Sequence, residues 1–340
     1  MTTFQLSPAH PSLPVFPDGD SGFDRTATPS PVGPLETLQQ CGVSRVVQIY
    51  LSPLLEPGAL IDRIEQAAAL GYNIIHLTGG APFYYGRDPF EYDVLEQLLN
   101  AARSLGYYNT LTTGGASLQT AMAQRMMHYL HHVSVCVEGK KEGQNPVLLK
   151  GLEVLRDRTN RFGLLHTLQP GSWKILSWLT DFALSQKASH LHLYYQEPPH
   201  AMHHQISPAE HPFTPKDLYR IFIAHYYLKT FSGPDLSIEL DLLHRERLRC
   251  PPFLTKLVIT DSGDLFPIAH GCASFFHIGH LHSGQGLEDM LGQFLKKKSK
   301  AITQLYNETY RDILHAGAGS DIVSWTVKLM ENSYAFQSVL

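Results

Sequence analysis

Two stretches decide how this chain folds: Leu77-Thr78-Gly79-Gly80-Ala81-Pro82 and, further on, Thr112-Thr113-Gly114-Gly115. Each follows a short apolar run and precedes an amphipathic stretch, which is the sequence form of strand, glycine turn and helix. Working outward, Val46 to Leu51 reads as a strand, and Leu60, Ile61, Ile64, Ala67, Ala68 and Leu70 recur at helical spacing until Gly71. Asn73 to Leu77 gives a second strand, with a helix from about Phe90 to Leu105 that Gly106 ends. Asn109 to Thr112, Val133 to Val137 (ending in Glu138-Gly139), Phe162 to Leu165 and Leu191 to Tyr195 supply four more strands, the last two separated by amphipathic Trp173 to Leu184. Strands that keep alternating with helices argue for an α/β fold, a parallel barrel or partial barrel whose site lies at the strand C-terminal ends.

The flanks differ in character. Residues 1–34 carry Pro8, Pro11, Pro14, Pro17, Pro29, Pro31 and Pro34 and read as an irregular arm. Beyond His200, prolines break the chain before a helix at Asp217 to Leu228. A strand follows at Ser237 to Leu242, and Lys256 to Ile259 leads through Asp261-Ser262-Gly263-Asp264 into Leu265 to Ile268 as a hairpin. The expected division is an arm over 1–40, the barrel over 41–200, a linker and helix over 201–234, and a C-terminal α+β extension over 235–340.

Composition narrows the function. With 340 residues, 43% hydrophobic and 17% charged, the chain is globular and long enough for a large core. A net charge of -4 leaves no basic field for nucleic acid, and the Lys296 to Lys300 run reads as a solvated helix face. No apolar run is long enough for a membrane span and no signal-peptide pattern opens the chain, so a cytoplasmic protein is expected. Cys41, Cys136, Cys250 and Cys272 lie far apart, so neither a disulfide framework nor a zinc ribbon is expected. No Gly-x-Ser-x-Gly, Walker A or dinucleotide fingerprint occurs.

The order of these pieces resembles the radical S-adenosylmethionine superfamily, in its peptide-modifying type, over about residues 45–293. There a Gly-Gly-Glu-Pro turn follows the second strand and a Thr-Asn-Gly turn the third, in the places of Gly79 to Pro82 and Thr113 to Gly115. Val135 to Gly139 is similar to the family's Ser-Leu-Asp-Gly, Gln169-Pro170-Gly171-Ser172-Trp173 opens the long fifth helix, and Gly263 through Leu281 looks like the C-terminal hairpin. The resemblance implies a partial (β/α)6 TIM-like barrel with a vestigial S-adenosylmethionine pocket at Gly79, Gly80, Ala81, Thr112, Thr113 and Gly114. The glycine turns have a second reading as tight strand-to-helix connections needing positive φ.

Departures from the family pattern matter more. Active members place Cys-x-x-x-Cys-x-x-Cys after the first strand, because three thiolates must hold a 4Fe–4S cluster; here the place is Ser52-Pro53-Leu54-Leu55-Glu56-Pro57-Gly58. No 4Fe–4S cluster is expected. The family's Glu, which receives the cosubstrate ammonium, is Ala81, a loss worth about 1.5–3 kcal/mol to the ligand. The resemblance therefore implies a pseudoenzyme: a scaffold or substrate-presenting partner in ribosomal peptide maturation, heterodimeric with an active radical S-adenosylmethionine homologue or bound to a peptide substrate. Residual S-adenosylmethionine binding without radical cleavage stays open.

Nineteen histidines suggest a different chemistry. His270, Cys272, His277, His280 and His282 offer imidazole and thiolate donors suited to zinc or iron, with ordinary surface or hydrogen-bonded histidines as the other reading. The group His200, His203, His204 and His211, in a proline-rich loop, is a comparable candidate, and His128, His131 and His132 a weaker one. In the strand Glu239-Leu240-Asp241 alternation places both acids on one face, either as an acid or cation site or as partners of Arg245 or Arg247.

Overall fold

The computed structural model describes residues 45–79, 94–157, 161–194, 215–241, 256–267, 276–298 and 300. The arm over 1–40, Cys41, Gly80, Ala81, the His200 to His211 group, Arg245, Arg247, Cys250, His270 and Cys272 lie outside the described residues.

A ten-stranded sheet organises the chain in the order β10-β9-β8-β1-β2-β3-β4-β5-β6-β7. Its strands are β1 Val46–Tyr50, β2 Ile74–Thr78, β3 Tyr108–Thr113, β4 His132–Cys136, β5 Arg161–Thr167, β6 His190–Tyr194, β7 Ser237–Asp241, β8 Lys256–Ile259, β9 Asp264–Phe266 and β10 Gly279–His280. From β8 through β7 every neighbouring pair is parallel, and β9 and β10 add an antiparallel edge. The connecting helices are α1 Pro57–Ala69, α2 Val94–Ser104, α3 Ala121–Met126, α4 Lys140–Gly143, α5 Pro146–Arg156, α6 Leu176–Ser185 and α7 Pro215–Phe231. A last helix, α8, covers 287–298.

The mixed α/β fold and all six expected parallel strands are present, shifted by a residue or two at their ends. Two expectations change. The segment assigned to a C-terminal extension is not separate from the sheet: β7 pairs parallel with β6, and β8 pairs parallel with β1. The stretch Trp173 to Leu184 is not one helix either, since a 3₁₀ turn at Ser172–Lys174 precedes α6. The expected hairpin does form, between β8 and β9, with Gly263 at φ +90°.

Period-two alternation gives the sheet two unlike faces. Val47, Ile49, Ile75, Leu77, Leu111, Val133, Val135, Leu191 and Leu193 are all fully buried in one core with Leu60, Ile64, Leu98 and Leu152 from the helices. The opposite residues, Gln48, His76, Thr110, Thr112, His132, Ser134, His190 and His192, are polar, and the strand register places them side by side.

The C-terminal segment is fastened through one side chain. Arg63 of α1, 4% exposed, donates to the carbonyls of Leu281, Ser283 and Gln285 and to Gln66 Oε1, over distances of 2.6–3.3 Å. Gln66 Oε1 also accepts from the Leu287 amide at the start of α8. Desolvation pulls the Arg63 pKa down, against a raising contribution from Asp62. Arg63→Ala strands three carbonyls in the interior, so we expect a loss of about 3 kcal/mol in denaturant melts. Arg63→Lys should recover only part of that, because an ammonium lacks the guanidinium fork.

Candidate functional site

The rim at the strand C-terminal ends is where the fold would carry chemistry. Between β1 and α1 the chain is short and closed. Leu51 N–H donates to Thr78 O at 2.7 Å, and the Glu56 carboxylate caps α1 by accepting from the amides of Gly58 and Ala59 at 3.2 and 3.0 Å. Pro57 then starts the helix.

Gly79 sits at φ +135°, where a Cβ would lie 2.7 Å from Leu51 O, so this glycine lets the second turn lie directly on the first loop. Gly115 (φ +81°) is likewise required, since a Cβ would meet Leu148 and Val135. Gly114 differs: no atom lies within 4 Å of the place a Cβ would take, and the residue is exposed. Of the expected pocket residues, Thr112 and Thr113 are buried, and Thr113 Oγ1 accepts from Gly115 N–H at 3.3 Å. Gly79 therefore has a structural cause, whereas Gly114 leaves room for a ligand.

Two further rim groups are accounted for within the protein. Burial, with Glu138 and Glu142 adding to it, pushes the Cys136 thiol up to about 12, so in the protein without a metal it stays protonated. His166, 1% exposed, donates from Nδ1 to Val137 O at 2.9 Å, leaving Nε2 to accept from the Ser172 hydroxyl at 3.0 Å. Ser172 Oγ in turn accepts from Gln169 N–H at 2.8 Å, so the cluster pins the turn after β5. For a 4Fe–4S cluster the β1–α1 loop, among the described residues, offers no thiol, and its carboxylate is engaged as a helix cap.

The expected metal residues are only partly brought together. His277 Nε2 is 3.0 Å from Asp264 Oδ1. His280 donates from Nε2 to Ser262 O at 3.0 Å and accepts at Nδ1 from His282 N–H at 3.2 Å, so neither ring nitrogen points at a shared centre. Among the described residues no three His, Cys, Asp or Glu side chains are arranged to hold a metal ion. The His128 group separates as well: His128 bonds Arg125 O, His131 accepts from Asn109 N–H, and His132 turns into the sheet face. Glu239 and Asp241 do share a face, in register with His192 and Tyr194.

Sequence reading missed the polar face itself. Thr110 Oγ1 donates to Ile75 O, so it can only accept from His76 Nδ1–H, at 2.9 Å; His76 Nε2 then accepts from the Thr112 hydroxyl at 3.1 Å. His76 is thereby fixed as the neutral Nδ1–H tautomer. Desolvation first, then the charges of Lys256, His192 and His132, lower its pKa to about 3.

His132 and His190 meet across β5, with rings stacked at 4.3 Å and Nε2 atoms 3.1 Å apart. Gly163 of β5 makes this meeting possible, since a Cβ there would lie 2.8 Å from His190 Cδ2. The signal was present in the alternation of His190-Leu191-His192-Leu193-Tyr194 and of Ile75-His76-Leu77, where imidazoles occupy one parity of the strand.

No protein-family model matches the chain, and no curated protein does. Solved structures do. SuiB of Streptococcus suis aligns with a TM-score of 0.51 at 16% identity, over 74% of this chain and 64% of that one. SuiB bound to precursor peptide SuiA gives 0.52 at 15%, over 73% and 64%. A third structure, anSMEcpe with bound AdoMet, gives 0.52 at 14%, over 72% and 80%. The chain thus spans about 64% of the length of SuiB, and what it shares at these identities is the fold.

The His76 assignment predicts the pH response. Because the folded pKa lies below the unfolded value near 6.5, the unfolded chain binds the extra proton between about pH 6.5 and 3. His76 should therefore make stability fall as pH drops through that window and leave it flat above. Comparing wild type with His76→Asn in pH-dependent melts checks this; an equal acid slope in both removes the assignment. Gly163→Ala should cost about 1–3 kcal/mol by driving the His132–His190 pair apart.

Proposed function

We propose that this chain is a radical S-adenosylmethionine-type protein without the cluster. In this reading it serves as a non-catalytic, substrate-presenting partner in the maturation of a ribosomally made peptide. The observation that carries the reading is the β1–α1 connection. The fold of SuiB and anSMEcpe is kept, yet the loop that would have to supply three thiolates is a capped turn of Leu51, Ser52, Pro53, Leu54, Leu55 and Glu56. Closed by the Leu51–Thr78 bond and by Gly79, it leaves the rim intact as a surface while the redox donors are missing.

On that rim, Leu54 is 77% exposed, and Glu138 presents a carboxylate held by the Thr167 hydroxyl at 2.9 Å. An exposed apolar side chain and an anchored acid on one rim suit an extended peptide with a basic or amide-rich flank. Such a protein would work beside an intact homologue, which performs the radical step, and the pair would form a heterodimer in the cytoplasm.

A second reading has its own observation. The open space at Gly114 would let backbone groups of the β3 turn approach S-adenosylmethionine, bound without reductive cleavage. Ala81 supplies no ammonium acceptor in that case, so the affinity would fall about one to two decades below that of a site with the acid.

The deciding experiment is iron, acid-labile sulfide and zinc analysis after anaerobic expression and reconstitution, read with the visible spectrum, alongside titration with precursor peptide and with S-adenosylmethionine. Peptide binding without iron or sulfide is the expected result. A stable iron–sulfur chromophore overturns the reading, and heat from S-adenosylmethionine alone selects the second.

A further inference from the structure

Helix α7 presents the wrong residues to solvent for a surface helix. Its buried side carries Ile221, with Ala224 and Leu228 packed against the core, as expected for a helix between β6 and β7. The opposite side carries Tyr219, Ile223, Tyr226 and Tyr227, with Phe231 at its C-terminal edge. Tyr219 is 61%, Tyr226 63%, Tyr227 57% and Phe231 78% exposed, so four of the large apolar side chains most open to solvent among the described residues lie on one helix. Tyr227 and Phe231 already lie parallel, with rings 6.4 Å apart. A helix that is apolar on both sides is ordinarily covered on both.

The spacing indicates what covers it. Tyr219, Ile223 and Tyr227 stand at i, i+4 and i+8, a stripe symmetric about its own centre. A two-fold axis through Ile223 would lay α7 antiparallel on the α7 of another molecule, Ile223 against Ile223 and each Tyr219 against the other's Tyr227. Such self-complementarity is the requirement of an isologous interface, and the antiparallel arrangement also opposes the two helix dipoles favourably. Four aromatic side chains exposed to this degree would bury at most roughly 400–600 Å² per molecule, between half and three-quarters of the roughly 800 Å² per partner in a standard stable interface.

We propose that α7 is a homodimerisation surface and that its occupant is a second copy of this chain, paired about Ile223. This is separate from the peptide and homologue interactions proposed above, which use the rim rather than this helix. The test is sedimentation velocity on the purified full-length chain over a concentration series. Wild type should be a dimer, and Ile223→Glu and Tyr227→Glu should each weaken association by at least about thirty-fold while leaving the melting temperature of the monomer unchanged. Ile223→Cys, being on the axis, should form a disulfide-linked dimer under mild oxidation, and Val147→Cys, exposed on α5, should not. This cross-link keeps the test decisive should a glutamate variant fail to fold. A wild-type monomer at every concentration, as would follow if residues 301–340 or a different protein covered α7, overturns the proposal. So does a dimer unaffected by both glutamates, or one not cross-linked through position 223.

Discussion

Side-chain parity along the strands is the constraint on which this structure rests. A parallel sheet flanked by helices must give one parity of every strand to the helix layer, and here that parity is almost wholly Val, Ile and Leu at zero exposure. The other parity is then committed to the inner face. It holds buried Gln48, Thr112 and Ser134 and half-buried His76, Thr110, His132, His190 and His192, a polar face that satisfies part of its groups by hydrogen bonding to itself. The directed chain from Thr112 through His76 and Thr110 to Ile75 O, and the imidazole pair bridged over Gly163, are the form this satisfaction takes.

Much of this could be read from the residues because the information is local. Strand, glycine turn and helix recur within short windows; Gly71 and Gly106 follow helix ends as expected, and Gly263 lies in the β8–β9 turn, all three at positive φ. Where the pairing is distant the reading failed. Nothing within Ser237–Asp241 or Lys256–Ile259 says that one joins β6 and the other β1, so the sequence alone reads both as part of an extension packed on the barrel. The histidines show the same limit. Those adjacent in sequence, His128, His131 and His132, go three ways, while the pair that meets, His132 and His190, is separated by 58 positions. Counting donors along a loop therefore points to His277, His280 and His282, yet His277 Nε2 and both ring nitrogens of His280 are engaged within the hairpin.

The two glycine turns separate for a physical reason. Gly79 is demanded by the Leu51 carbonyl, and Gly115 by Leu148, so each would be a glycine whether or not a ligand ever bound. Among the described glycines of these turns, Gly114 lacks such a cause. Of the resemblance first seen in these turns, then, part reflects the geometry of strand-to-helix connections.

The β1–α1 connection also has a mechanical consequence. Glu56 caps the N-terminus of α1, and Arg63, two turns further along the same helix, grips the 281–285 segment that leads into α8. Buried Leu287, Met290, Leu291, Phe294 and Leu295 then hold α8 in the core. One rigid helix thus joins the rim loop to the C-terminal segment, with a buried cation satisfied by carbonyl dipoles rather than by a carboxylate. Displacing the 281–285 segment would break the bonds from that guanidinium to the three carbonyls and leave it Gln66 alone. The capped loop is accordingly part of the same unit as the hairpin and α8, which is what a surface needs if it is to present a partner in a fixed orientation.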